Sequence, residues 1–129
     1  MANKVVSTTL GAPEKHILIA NDSYMVTLGA VIKATGVEAG SDGRKVVKAG
    51  TPLYGDIEKR DTGFTISAGA GNPTCILLHD VDVTAGDENG TIVLAGCVDL
   101  LKLDASVKSA VASAKAYLPR IIFVEGSAI

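Results

Sequence analysis

The sequence predicts a mainly β domain with a single helix, an α+β fold. Three observations carry that expectation. Short apolar runs recur along the chain, each closed by glycine, proline, asparagine or a polar cluster, the pattern of short strands and turns. One segment alone, at about 104–118, repeats its apolar residues at helical spacing. The core material is aliphatic: 47% of the 129 residues are hydrophobic but only 4% aromatic, with no Trp, which suits thin, well-fitted layers. This length supplies one domain with an arm to spare.

Residues 1–30 read as an extended N-terminal arm and residues 31–129 as a compact β-rich domain. In the arm, Val5 to Leu10 and His16 to Ala20 are short extended pieces, the first broken at Gly11-Ala-Pro13 and the second ended by Asn21-Asp-Ser23. A further β-prone run, Ala30 to Thr35, follows Gly29. Pieces this short leave backbone groups in need of partners, so the arm is expected to find a neighbouring chain. Met1-Ala-Asn-Lys4 and Val5-Val6 fall far short of the apolar stretch of a secretory leader, and no run approaches a membrane span. The expectation is a soluble protein made in a cytoplasm, with no membrane partner.

In the centre, Gly40-Ser-Asp-Gly43 is a turn cluster between Val37 and Lys45-Val-Val-Lys48. Gly50-Thr-Pro52 reads as a bend, because proline lacks the donor a central strand needs. Phe64-Thr-Ile-Ser67 alternates like a half-buried strand, and Ala68 to Pro73 is a loop. Cys75 to Leu78 is continuously apolar and should be covered on both faces, while Val81 and Val83 alternate with Asp80 and Asp82 as a strand end does on entering water. Asn89-Gly90 is a strong turn signal, so residues 75–98 read as an antiparallel hairpin.

Asp104 stands where a helix N-cap belongs, with its carboxylate available to the first-turn amides. Val107, Ala110, Val111, Ala114, Tyr117 and Leu118 then recur at helical spacing, and Pro119 stops the helix. Ile121-Ile-Phe-Val124 is a final strand, too apolar to be left exposed.

Reactive groups do not converge anywhere along the chain. Fourteen acidic against twelve basic residues give a net charge of -2, and the basic ones form no stripe, which argues against nucleic acid as a partner. His16 and His79 are the only imidazoles. On a strand, Asp80 and Asp82 share a face while His79 takes the other, and no calcium-loop spacing accompanies them. Asp87 and Glu88 sit in a turn, where acidic side chains favour local backbone bonds. Two isolated cysteines and two isolated histidines do not make a zinc site. There is no nucleophile elbow, and Gly69-Ala-Gly71 has neither the lysine nor the helix of a phosphate loop. The expectation is a non-enzyme without metal or cofactor. Cys75 and Cys97 lie in two runs that a hairpin would pair, which leaves a disulfide open, but buried thiols are the plainer reading. Tyr54 and Tyr117 are amphipathic anchors, either packed at the core edge or placed at a subunit interface.

Three stretches together resemble the head-fibre and head-decoration proteins of tailed bacteriophages. The first is Val46-Val-Lys-Ala-Gly-Thr-Pro-Leu-Tyr-Gly-Asp56, similar to a KAGTPLYGD segment of the head-fibre family. The second is Leu77-Leu-His-Asp-Val-Asp-Val83, leading through Asn89-Gly90 to Leu94-Ala-Gly-Cys-Val98. The third is Lys102-Leu-Asp104 with its helix, then Leu118-Pro-Arg-Ile-Ile-Phe-Val124. They span roughly residues 31–124, and their order carries more weight than any single motif. More distantly, the plan is similar to the lambda-type decoration protein. The resemblance implies a structural virion protein on the outer capsid surface, a homotrimer at threefold and quasi-threefold positions that binds the major capsid protein and stabilises the expanded shell. It also implies that the arm adds a strand to a capsid sheet, with Val5, Val6 and Leu10 as apolar contacts. The alternative is an outward-facing head-fibre or adhesion module that binds carbohydrate or a host surface.

Overall fold

β7 (Glu88–Asp99), the longest strand, organises the molecule; the computed structural model describes residues 17–18 and 25–125. The other strands are β1 (Val26–Ile32), β2 (Val46–Val47), β3 (Pro52–Tyr54), β4 (Thr65–Ile66), β5 (Cys75–Leu77), β6 (Val81–Asp82) and β8 (Ile121–Val124), with one helix, α1 (Ala105–Ala114). The α+β class is as the sequence predicts.

The main sheet runs β1-β7-β5-β3-β4, and β8 joins the far end of β7 in parallel. β1 and β5 flank the first half of β7 on opposite edges, both antiparallel. The sheet curls until its ends meet: Phe64, just before β4, bridges Ile32, donating to Val31 O at 2.8 Å and accepting from Lys33 N at 2.9 Å. β2 and β6 form a separate two-stranded piece.

Side-chain alternation divides the core in two. Cys75, Leu77 and Ile92 face inward with Ile32, Leu53 and Phe64, and Val47, Val81 and Val83 of the small sheet close that cluster. Ile76 and Val93 face the other way, onto Val107, Val111, Ala114 and Leu118 of the helical segment. Val93 and Val98 both belong to this second cluster although they are five positions apart, which unbroken alternation forbids. The register shift between Val26 and Thr27, opposite Ala95 and Val93, supplies the extra residue that reverses the parity.

Four sequence expectations about the fold change. The boundary at residue 30 falls inside β1, whose Val26 to Ala30 pair with β7; Ile17 is fully buried and its carbonyl accepts from Asp99 N at 2.8 Å. Asn89-Gly90 is not a turn but part of β7. Gly90 lies so close to Ile32 and Val81 that a Cβ would stand 2.8 and 2.9 Å from their methylene and methyl carbons, so close packing accounts for the glycine. Pro52 opens β3, an interior strand, as its first residue; the bend itself is Lys48 to Thr51, closed by Thr51 N to Lys48 O at 3.1 Å. Asp104 occupies the N-cap position, and its carbonyl starts the helix by accepting from Lys108 N. However, its carboxylate makes no cap bond and lies 3.3 Å from Lys48 Nζ, where a full charge is a stronger partner than an amide.

The helix spans the expected segment, but its last turn is tighter than the rest. Lys115–Tyr117 winds as a 3-10 turn, which advances about 120° per residue instead of 100°. Tyr117, at the end of that turn, is 54% exposed, while Leu118 is buried.

Candidate interaction surface

The acidic residues that looked most like chemistry brace the fold. Asp80 Oδ1 accepts from Ala49 N at 2.7 Å, holding the turn that precedes β3. Asp87 reaches 53 positions along the chain to Ala34 N at 2.9 Å, not to its own turn as the sequence suggests. Asp82 pairs with Arg44 at 2.8 Å and accepts from the amide and hydroxyl of Thr84, while Thr84 Oγ1 accepts from Lys45 N at 2.8 Å. These bonds tie the small sheet to the 40–45 loop. Among the described residues, no group of three His, Cys, Asp or Glu is placed to hold a metal, and no helix is long and apolar enough to cross a membrane.

The Thr84 hydroxyl, then its amide, then Arg44 hold the Asp82 carboxyl down at about 2. The folded value lies below the ordinary aspartate value of about 3.9, so the clasp's contribution to stability is present above that pH and is lost as the pH falls towards about 2. Thr84→Ala should move the Asp82 titration midpoint upward in a side-chain carboxyl NMR titration. An unchanged midpoint would rule out Thr84 as the main cause.

β5 and β7 pair as the hairpin requires, yet both cysteines are free. Continuing the register sets Cys75 opposite Leu94, and Cys97 lies three positions further on, roughly 10 Å away along the strand. That exceeds disulfide reach. Burial pushes the Cys75 thiol up to about 12, whereas Cys97 is only half-buried, beside Ile122. A maleimide should therefore label one site, Cys97, in the native protein and both after unfolding, as peptide mass mapping would show. Labelling of Cys75 at the rate of Cys97 would contradict this burial.

Val5, Val6 and Leu10, the expected arm contacts, and His16 lie outside the described residues. Tyr54 and Tyr117, the expected interface residues, are 46% and 54% exposed, and they lie on separate elements, the end of β3 and the 3-10 turn. The Tyr54 ring is held against Gly71, where a Cβ would come within 2.7 Å of Cε1.

The exposed apolar surface that the sequence reading missed is on β8. Its register sets Ile122 beside Cys97 and Val124 beside Asp99 on one face, while Ile121 and Phe123 face the helix. Asp99 in turn holds Leu101 N at 2.9 Å. Leu101, Ile122 and Val124 have 61%, 48% and 36% of their surfaces exposed. The described residues place no strand on the outer edge of β8. The sequence signal was available: a run of four apolar residues can form an edge strand packed on one face only, as well as a buried one. No family model matches the chain, and no curated protein matches it.

Proposed function

We propose that this protein is a non-catalytic structural protein of a phage virion that binds the outer surface of the capsid. The observation that carries the reading is the exposed apolar residues Leu101, Ile122 and Val124 on and near β8, on whose outer edge the described residues place no strand, a surface suited to docking another protein. The carboxylates of Asp80, Asp82 and Asp87 are engaged in bracing the fold, which favours a static role. The order of the three sequence stretches supports a decoration protein in particular. On that reading the protein is a trimer at threefold and quasi-threefold positions, with Tyr54 and Tyr117 near subunit contacts. Its arm, through Val5, Val6 and Leu10, adds a strand to the major capsid protein. Many copies on one shell would turn weak contacts into stable cementing.

A second reading is favoured by one observation, the exposed Tyr54 ring fixed against Gly71, which offers a flat face of the kind that sugars stack on. On that reading the domain projects outward and binds carbohydrate or a host surface.

Co-sedimentation with expanded, undecorated capsids tests the first reading. The full chain should bind saturably, and a chain lacking residues 2–16 should lose that binding. The deletion stops at residue 16 because Ile17 is part of the core. Saturation by the truncated chain would move docking to the folded domain, and failure of the full chain to bind would reject decoration. Retention on a glycan array, abolished by Tyr54→Ala, would favour the second reading.

A further inference from the structure

Charge is divided unevenly along this chain. Residues 25–99 carry ten carboxylates against six basic groups, whereas residues 100–125 carry four basic groups against two acids. One of those two acids, Asp104, already faces Lys48. Two of the four basic groups, Lys108 and Lys115, line a groove between α1 and β8, on the opposite face of β8 from Ile122 and Val124. Its apolar lining is Leu100, Val111 and Phe123, and Lys108, Ala112 and Lys115 form the helix wall. Lys108 and Lys115 are two turns apart on one side of the helix, about 10.5 Å along its axis. Lys102 stands in the turn that follows β7. Glu125 lines the groove, yet among the described residues no carboxylate pairs with Lys102, Lys108 or Lys115.

The cavity measures about 160 Å³, well below the roughly 300–1,000 Å³ of small-molecule sites. It has room for a single large apolar side chain. An extended peptide rises about 3.3 Å per residue and sends alternate side chains to opposite faces, so carboxylates four positions apart share a face about 13 Å apart, within reach of two flexible lysine side chains, with the residue midway between them on the same face.

We infer that this groove binds an extended acidic segment of another protein, which seats one apolar side chain on Leu100 and Phe123 and sets carboxylates at Lys108 and Lys115. The inference goes beyond capsid decoration, since it defines the partner segment by chemistry and would hold for a partner of any origin. Positive charge at the rim selects the acidic segment and speeds its encounter, and the apolar floor retains it.

The test is an NMR titration of the full chain with a capped synthetic peptide that carries two aspartates four positions apart and a leucine midway between them. Saturable amide shifts at Lys108, Ala112, Lys115 and Phe123 are expected, absent or much weaker with the same peptide carrying asparagines. Lys108→Glu with Lys115→Glu should weaken binding about tenfold; both side chains are exposed, and retained spectral dispersion would show that the fold is intact. Equal binding of the asparagine peptide, or no shifts in this region, would overturn the inference. So would the same shifts on raising protein concentration alone, which would make a second copy the occupant. Equal binding of a short oligonucleotide would reduce the groove to a general anion surface and also reject it.

Discussion

Phe64→Ala is expected to lose roughly 3–5 kcal/mol of stability, the cost of emptying a fully buried aromatic site. That is a large part of the about 5–15 kcal/mol that holds a domain of this size together. The side chain is fully buried in the inner cluster, and its backbone joins the two ends of the curled sheet through Val31 and Lys33. The ring also packs on Gly55, where a Cβ would come within 2.5 Å of it, so neighbouring chain is already in contact and cannot collapse far to fill the space. Urea denaturation should show a much lower midpoint, and Phe64→Leu should recover part of the loss. A change under about 1 kcal/mol for Phe64→Ala would mean that closure at Ile32 and Phe64 contributes little.

Gly50→Ala is expected to lose roughly 2–5 kcal/mol, for two reasons that can be separated. Gly50 has φ +89°, a conformation that costs an L-residue about 1–2 kcal/mol. Its Cβ would also stand 2.5 Å from Leu103 Cδ2 and 3.2 Å from Val107 Cγ1, and overpacking of this kind costs about 1–3 kcal/mol. Gly43 provides the control: its φ is +82°, but nothing lies within 4 Å of the added carbon, so Gly43→Ala should show the backbone cost alone. Leu103→Val combined with Gly50→Ala should be less destabilising than the sum of the two single changes, since the shorter side chain relieves the clash. Strict additivity in thermal or urea unfolding would remove the contact with Leu103 from the explanation.

These two positions show what a sequence can and cannot carry. Gly50 beside Pro52 announces a bend, and the bend is found at Lys48 to Thr51. Nothing in the sequence tells that the glycine also makes room for Leu103, more than fifty positions on. Gly90 illustrates the opposite error. Asn89-Gly90 has the composition of a turn, but the position is fixed by the approach of Ile32 and Val81 across the sheet, and β7 runs straight through it.

The carboxylates follow the same division. That Asp80 and Asp82 leave the core while Val81 and Val83 enter it is local alternation, visible in the order of residues. That Asp80 holds Ala49, Asp82 holds Arg44 and Asp87 holds Ala34 depends on segments 31, 38 and 53 positions away, which no local pattern specifies.

By itself, the sequence determined the α+β class, the strand runs of Cys75 to Leu77 and Ile121 to Val124, the helix from Asp104 onward and the buried face of Val107, Val111, Ala114 and Leu118. Each of these follows from the period of apolar residues and from the backbone limits of glycine and proline, which act within a few positions. The tertiary structure alone decided that β1 belongs to the sheet, that Phe64 closes it and that a bulge in β7 redirects Val98 to the helix. It also left Ile122 and Val124 exposed on the face of β8 turned away from the helix. These outcomes depend on which distant segments meet and in what register, and pairing energy between remote strands leaves no periodic trace in either strand alone.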